Sequence, residues 1–119
     1  IEKNVLELIK TYGFENNCVI SSFNPFIIRR IKKIDPKILT AFLWSKNDPQ
    51  FIINTPLWVW ICQPDGFHAD IVYLDKQLIN WVRRKNMSVL TFTVMTQRQL
   101  IKAQLLGVDG VFINDPYLN

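Results

Sequence analysis

Few side chains of this sequence are of types that do chemistry, and their spacing limits what that chemistry can be. The 119 residues contain one histidine, His68, and two cysteines, Cys18 and Cys62, which lie in separate apolar runs without Cys-x-x-Cys spacing. A structural zinc site takes about four ligands, so this set predicts no zinc site. Ser21 and Ser22 have no nearby triad pattern, which argues against a nucleophilic serine. The cysteines are predicted to be buried free thiols in a reducing, cytoplasmic compartment, with a disulfide as the open alternative.

The positive charge of the chain is modest and is concentrated in one cluster. The net charge is +4, and 49% of the residues are hydrophobic, which suits one domain with a buried core. The cluster alternates with isoleucines at helical spacing, which predicts an amphipathic helix with a solvated outer face rather than a phosphate site. Its basic residues are Arg29, Arg30, Lys32 and Lys33. No nucleic-acid partner is predicted, because this cluster is not interleaved with polar and aromatic contacts.

Apolar residues recur along the chain with helical and strand periods in turn. The first helix, at 2–12, is predicted to bury one face. The residues of that face are Val5, Leu8, Ile9 and Tyr12. Further helices are predicted from Asn24 to near Asp35, from Asp75, and at 97–106, where Gly107 would end the helix. Strands are predicted at 18–23, 37–44, 65–69, 87–94 and 111–113.

Strands that alternate with helices of about 10 residues are typical of βαβ units and a parallel sheet. An open doubly wound sheet is disfavoured, because none of the strand-to-helix turns is rich in glycine. A barrel segment is the alternative, and since a complete (β/α)₈ barrel takes about 250 residues, this chain would form roughly half of one.

Four blocks, in the correct order, resemble the glycerophosphodiester phosphodiesterase family. They are Val19–Phe23, Pro64–His68, Val89–Met95 and Leu106–Pro116, and the last is the most specific. In that block Gly107 ends a helix, Gly110 is expected to give clearance where helix and strand pack, and Asp115 can cap the following turn. A structural role for Asp115 is favoured over a substrate contact.

The resemblance implies that residues 1–119 are a single incomplete domain. They would be the C-terminal half of a TIM (β/α)₈ barrel of the PLC-like phosphodiesterase type. Family members hydrolyse glycerophosphodiesters, and some hydrolyse lysophospholipids, releasing glycerol 3-phosphate and an alcohol from the diester. In the family, the two histidines that act as acid and base and the three carboxylates for a divalent cation (Ca or Mg) come from blocks that precede the matched region: His-Arg-Gly, an acidic pair, His-Asp and Glu-x-Lys. The resemblance therefore implies no catalytic or metal residue in this chain, and a partner in the N-terminal half-barrel.

The contribution expected of this chain is one wall of the substrate pocket, because side chains at the carboxyl ends of barrel strands face the active site. These are Phe23, Trp44, His68, Phe92 and Asn114. Phe92 stands where the family usually has Trp, which keeps an aromatic surface but removes the indole donor. Met95 replaces the usual Asn. A structural histidine is favoured over a substrate contact for His68, and it is not predicted to be the acid or the base.

Two other functions stay open. A half-barrel has two open strand edges, so a non-catalytic module that self-associates or binds a partner is the main alternative. The segment Trp58–Ile61 could contact a membrane surface or a lipid substrate, although a segment folded back over the barrel is favoured because the basic residues that accompany interfacial binding are missing nearby. No signal peptide is predicted at the charged, amphipathic N-terminus, and the apolar window 51–62 is too short to span a bilayer.

Overall fold

The alternating periods of the sequence become alternating strands and helices in the computed structural model, which describes residues 1–46 and 59–118. The elements are α1 (Glu2–Thr11), β1 (Val19–Ser22), α2 (Pro25–Ile34), β2 (Leu39–Trp44), α3 (Val59–Cys62), β3 (Gly66–Asp70), α4 (Lys76–Arg84), β4 (Ser88–Val94), α5 (Gln97–Leu106) and β5 (Gly110–Ile113). The five strands form one parallel sheet in the order of the chain. The predicted α/β class is confirmed, and α3 is a short helix inside the stretch predicted as a connection.

Local side-chain chemistry sets the helix boundaries. The side chain of Asn24 accepts a hydrogen bond from the amide of Phe26, at 2.9 Å, and so caps α2 as predicted. Asp75 caps α4 in the same way. Gly107 ends α5 in the left-handed region, with φ of 75°, which a residue with a Cβ adopts only at a cost.

The main core lies between the sheet and the helices that cover one side of it. Phe42, Phe67 and Val89 project from β2, β3 and β4 into this layer, where Ile28 of α2 and Val82 of α4 meet them. All five side chains are fully buried. We call this the helix side of the sheet.

Helix α1 packs differently from the prediction. Leu6 is its buried residue and Ile9 is partly buried, in a small cluster with α2. Val5, Leu8 and Tyr12 are 43, 59 and 71% exposed, so the predicted buried face is wrong for these three. The cause is that the described neighbours of α1 cover only one stripe of a helix whose apolar surface is wider.

Aspartates fix the amino ends of two strand pairs. Asp65, just before β3, accepts a hydrogen bond from the amide of Thr40 at the start of β2, at 2.8 Å, and forms an ion pair with Lys32 of α2. Thus one carboxylate joins two strands to the end of a helix.

The same arrangement recurs two strands further on. Asp109, just before β5, accepts a hydrogen bond from the amide of Val89 in β4, at 2.7 Å, and pairs with Arg83 of α4 at 3.0 Å. The hydrogen bond from the Val89 amide and the neighbouring guanidinium of Arg83 lower the pKa of Asp109. The amino end of the sheet is therefore closed by contacts within the described chain.

Candidate functional site

The other side of the sheet, which we call the inner side, is concave. Side chains alternate along a strand, so the neighbours of the helix-side residues project here. Phe23, which follows β1, and Phe92 of β4 have ring centroids 6.0 Å apart in an edge-to-face contact. Since two strands lie between β1 and β4 in the sheet, this contact requires strong curvature. Such curvature is that of a barrel wall.

A second contact across the inner side joins His68 of β3 to Phe112 of β5, whose ring centroids are 5.3 Å apart. His68 is 5% exposed, and its Nδ1 atom is buried without a hydrogen-bond partner in the described chain. Burial lowers the pKa of His68, so the ring is neutral at neutral pH. A buried polar atom without a partner is uncommon in folded proteins, so Nδ1 has an unused hydrogen-bonding site.

Three of the five predicted pocket residues come together on the inner side, namely Phe23, His68 and Phe92. Trp44 does not join them: its ring is 4% exposed on the helix side and contacts Phe67 at 6.0 Å between centroids. Asn114 follows β5 and is exposed. Trp44 is the last residue of β2, but its place in the alternation of that strand turns it away from the concavity.

Sequence reasoning missed two residues that the structure adds to this side. Phe112 is two residues before Asn114, and the strand period alone could have placed it on the same side. Asp70 ends β3, where its carboxylate accepts hydrogen bonds from the Ser45 hydroxyl at 2.8 Å and from the Val72 amide at 3.0 Å. Asp70 is thus a fixed carboxylate at the carboxyl end of the sheet, and it lies two residues after the end of the Pro64–His68 block.

At two glycines of the inner side, a side chain of the adjacent strand approaches so closely that a Cβ would displace it. A Cβ on Gly110 would lie 2.8 Å from Cδ2 of Leu90 on the adjacent strand, and one on Gly66 would lie 2.8 Å from Oγ of Ser88. The expected clearance at Gly110 is real, but the neighbour is a strand side chain rather than a helix. The predicted cap at Asp115 is confirmed, since its carboxylate accepts a hydrogen bond from the amide of Tyr117 at 2.9 Å.

The cysteines fit a structural role. Both are free thiols, Cys62 is buried as expected, and Cys18 is only half-buried. Burial raises the pKa of Cys62 to about 12, so it is not a thiolate at neutral pH.

The donor set of the described chain does not suit a divalent cation. Between residues 1 and 46 and between 59 and 118, no group of three or more His, Cys, Asp and Glu side chains is placed to hold a metal ion. No chemical step through a metal is therefore assigned to these residues. Over the same ranges, none of the helices has the length and apolar character needed to cross a membrane.

Trp60 and Ile61 lie at the opposite end of the sheet from this concavity. They belong to α3, which leads into the amino end of β3, and they line a groove with Arg29, Lys32 and Lys33 of α2. The expectation that basic residues are missing near this segment is therefore wrong, because residues about thirty positions away in the sequence are its neighbours. Trp58 falls outside the described residues.

Comparison with known proteins shows the family to which this chain belongs. Residues 1–118 match the model of the Glycerophosphoryl diester phosphodiesterase family. A glycerophosphodiester phosphodiesterase of Caldanaerobacter subterraneus subsp. tengcongensis is 25% identical over 118 residues, which are 98% of this chain and 46% of that protein. The chain spans about half the length of the curated relatives it matches.

Solved structures share the fold at lower identity. A Silicibacter pomeroyi DSS-3 protein assigned to the same enzyme class has a TM-score of 0.85 and 21% identity, covering 97% of this chain and 40% of that one. An Oleispira antarctica phosphodiesterase, solved in complex with the product sn-glycerol-3-phosphate, has a TM-score of 0.75 and 21% identity over 94% of this chain and 44% of that one. The five parallel strands thus correspond to part of a TIM barrel.

Proposed function

Since the chain belongs to the glycerophosphoryl diester phosphodiesterase family, whose members are hydrolases, we propose that it forms part of the pocket wall and the closing strands of such an enzyme. A (β/α)₈ barrel has eight strands and the described residues form five, which leaves three for a preceding segment or a partner chain. Residues 1–119 are then one incomplete domain. The whole enzyme would hydrolyse glycerophosphodiesters to glycerol 3-phosphate and an alcohol, and a lysophospholipid is the second substrate class, whose acyl chain would stay on the glycerol phosphate.

The observation that carries this proposal is the incomplete inner side. It has an aromatic pair that spans the sheet and, on β3, a buried histidine with a nitrogen that has no partner among the described residues. In barrel enzymes the substrate binds at the carboxyl ends of the strands. Phe23 and Phe92 lie at this end, and His68 lies deeper in the same concavity. Open apolar strands at both edges are consistent with three further strands that close the barrel.

Each residue of the wall has a distinct part in this proposal. The rings of Phe23 and Phe92 pack against the carbon atoms of the glycerol or the alcohol. The neutral ring of His68 forms a hydrogen bond with a hydroxyl group of the substrate through Nδ1. Asn114 lies at the edge of the pocket, just after β5. The acid, the base and the ligands of a divalent cation belong to the three other strands, so this chain binds and orients while the remainder does the chemistry.

The test is steady-state hydrolysis of glycerophosphoethanolamine by the complete natural polypeptide, or by the chain combined with its partner. Phe92→Leu should raise KM by about tenfold, because reshaping an apolar contact with the substrate changes binding by that order. The control is Phe14→Leu, in the exposed loop before β1 at the amino end of the sheet, which should leave KM unchanged. Absence of hydrolysis with every divalent cation, or equal KM values for the two variants, would contradict the proposal.

A non-catalytic module that self-associates is the second candidate, and it too has a specific observation in its favour. Val19 on β1 is 51% exposed, and Phe112 and Ile113 on β5 are 42 and 40% exposed, so both outer strands present apolar side chains. Light scattering on residues 1–119 separates the candidates. A stable dimer without activity favours the module, whereas aggregation that a complementary half-barrel relieves favours the enzyme part.

A further inference from the structure

We propose that the surface around Trp60 and Ile61 docks this protein on an anionic lipid surface. Trp60 is 65% exposed and Ile61 is 42% exposed, although both lie on a helix whose other residues, Val59 and Cys62, are buried. The two exposed side chains of this four-residue helix, an indole and an aliphatic group, are therefore adjacent in sequence and both open to solvent. The inference is independent of the pocket on the inner side.

Basic side chains border this surface on both flanks. On one flank, α2 contributes Arg29, Lys32 and Lys33 to the groove that Trp60 and Ile61 line. On the other flank, Arg84 and Lys85 from the end of α4 line a groove with Trp60. We call Arg29, Lys33, Arg84 and Lys85 the basic rim.

The rim carries positive charge that no carboxylate of the described residues neutralises. Lys32 is excluded from the rim because Asp65 neutralises it. In the part of the chain that the structure describes, no carboxylate pairs with Arg29, Lys33 or Arg84. A cation near the carboxyl end of a helix interacts favourably with the helix dipole, which accounts for Lys33 on α2 and Arg84 on α4. The dipoles do not account for the exposed Trp60 between these two helices.

The fourth cation of the rim is fixed against the tryptophan. The Lys85 Nζ atom lies 3.5 Å from the centroid of the Trp60 ring and 5.1 Å from that of Trp81. This cation–π contact holds the indole in place beside the charge. An oriented indole, a neighbouring isoleucine and flanking cations match what an anionic membrane interface binds, namely inserted apolar groups and positive charge at the headgroups.

A lipid surface fits these residues better than a nucleic acid does. Single-stranded nucleic acids stack their bases on free aromatic faces. At Trp60 one face is occupied by Lys85, and the exposed companion is the aliphatic Ile61, which offers neither stacking nor a hydrogen bond. An aliphatic side chain gains free energy only where it leaves water, as it does in the acyl region of a bilayer.

The place of this surface in the fold determines what docking would do. The surface lies at the amino ends of β2, β3 and β4, next to Pro36, Pro64 and Met87, which precede these strands. The inner-side pocket opens at the carboxyl ends. Docking therefore turns the pocket away from the bilayer, so that a substrate reaches it from the aqueous phase. This geometry separates membrane attachment from the binding of a lipid substrate.

The test is co-sedimentation of the complete natural polypeptide with vesicles, either of phosphatidylcholine alone or with a third of the lipid replaced by phosphatidylglycerol. Binding is expected only to the anionic vesicles, and it should weaken as salt screens the charges. The triple variant Arg29→Gln, Lys33→Gln, Arg84→Gln should lower the partition coefficient about a hundredfold, since each cation near an anionic surface contributes a factor of about five. Trp60→Ser should weaken binding at every salt concentration.

A second triple variant controls for net charge. Lys3→Gln, Lys76→Gln, Arg98→Gln removes the same charge from exposed positions on α1, α4 and α5. Partition of this variant within about threefold of the wild type supports a localised surface, because distant charges are screened beyond about 10 Å. Equal losses in the two triple variants, no effect of Trp60→Ser, or binding to a DNA oligonucleotide but not to anionic vesicles would each overturn the proposal. Unchanged thermal unfolding of each variant verifies that folding is intact.

Discussion

On the helix side of the sheet, Phe42, Phe67 and Val89 are fully buried by residues of this same chain, whereas on the inner side Phe23 and Phe92 are half-buried and Phe112 is exposed. The same strands supply both sides. Helices α2 and α4, each of which follows a strand in sequence, cover the first side, so its core is built from neighbouring stretches of the chain. On the second side, the five strands of the described chain do not close around the inner surface. The helix side is thus a packed core, and the inner side is an apolar surface that the described residues leave partly exposed.

The largest predicted effect compares a phenylalanine from each side. In residues 1–119, Phe42→Ala should lower the free energy of unfolding by about 3–5 kcal/mol, because it leaves a cavity in a packed core. Phe92→Ala should lower it by about 1 kcal/mol, since its ring is only half-buried and makes an edge-to-face contact with Phe23. Urea unfolding followed by far-UV circular dichroism measures both.

Equal losses in the two variants would break this comparison. They would mean that something covers the inner side in solution, such as a second copy of the chain. Repeating both measurements with the complementary half-barrel sharpens the result, because the cost of Phe92→Ala should then approach that of Phe42→Ala.

The next effect is smaller and compares a polar side chain from each side. On the helix side the Thr91 hydroxyl donates a hydrogen bond to the carbonyl of Ala69 at 2.8 Å, fully buried. Thr91→Val keeps the shape but removes the donor, so it should lower the free energy of unfolding by about 1 kcal/mol. His68→Leu removes a buried nitrogen that has no partner among the described residues, so it should leave stability unchanged or raise it by up to about 1 kcal/mol.

The same two unfolding curves decide this comparison. A loss of stability in His68→Leu greater than that in Thr91→Val would show that the histidine makes a stabilising contact that the described residues do not contain.

The sequence predicted the order and type of the long elements well, and the reason is local. Helix α5 begins and ends at the predicted residues, since Thr96 caps its start and Gly107 permits its end. The blocks that resemble the family also lie where expected, on β1, β3, β4 and β5. Each of these signals is a short-range one, set by propensity, capping or turn chemistry.

What the sequence could not predict depends on contacts between distant residues. Trp44 ends a strand as predicted, but the side to which it points depends on the register of β2. Val5 and Leu8 fit a buried helical face, yet no described neighbour covers them. Lys33 and Trp60 are far apart in sequence and border the same groove. Period and spacing carry no information about which elements meet, so these positions required the structure.

The smallest effect concerns pH, and it tests whether the inner side stays uncovered. Burial lowers the pKa of His68 in the folded chain, and in the unfolded chain its pKa is about 6.5. Above that pH both states are neutral, so the histidine contributes nothing to pH dependence. As the pH falls below about 6.5, the unfolded chain binds a proton that the folded chain does not, and stability falls until the pH passes the folded pKa.

His68→Leu should lack this decline, so its stability relative to the wild type should rise as the pH is lowered from 8 towards 5.5, measured by urea midpoints at each pH. Phe112→Leu, which keeps the histidine and changes only its ring neighbour, should retain the decline. If the proposed barrel is completed by other strands and one of their carboxylates pairs with Nδ1, the pKa of His68 rises above its unfolded value and the sign reverses. The wild type would then gain stability relative to His68→Leu on acidification through about pH 6.5. A reversal that appears only when the barrel is complete would therefore identify the missing partner of His68 as a residue of the other half, whereas a decline in both forms would leave Nδ1 available to the substrate.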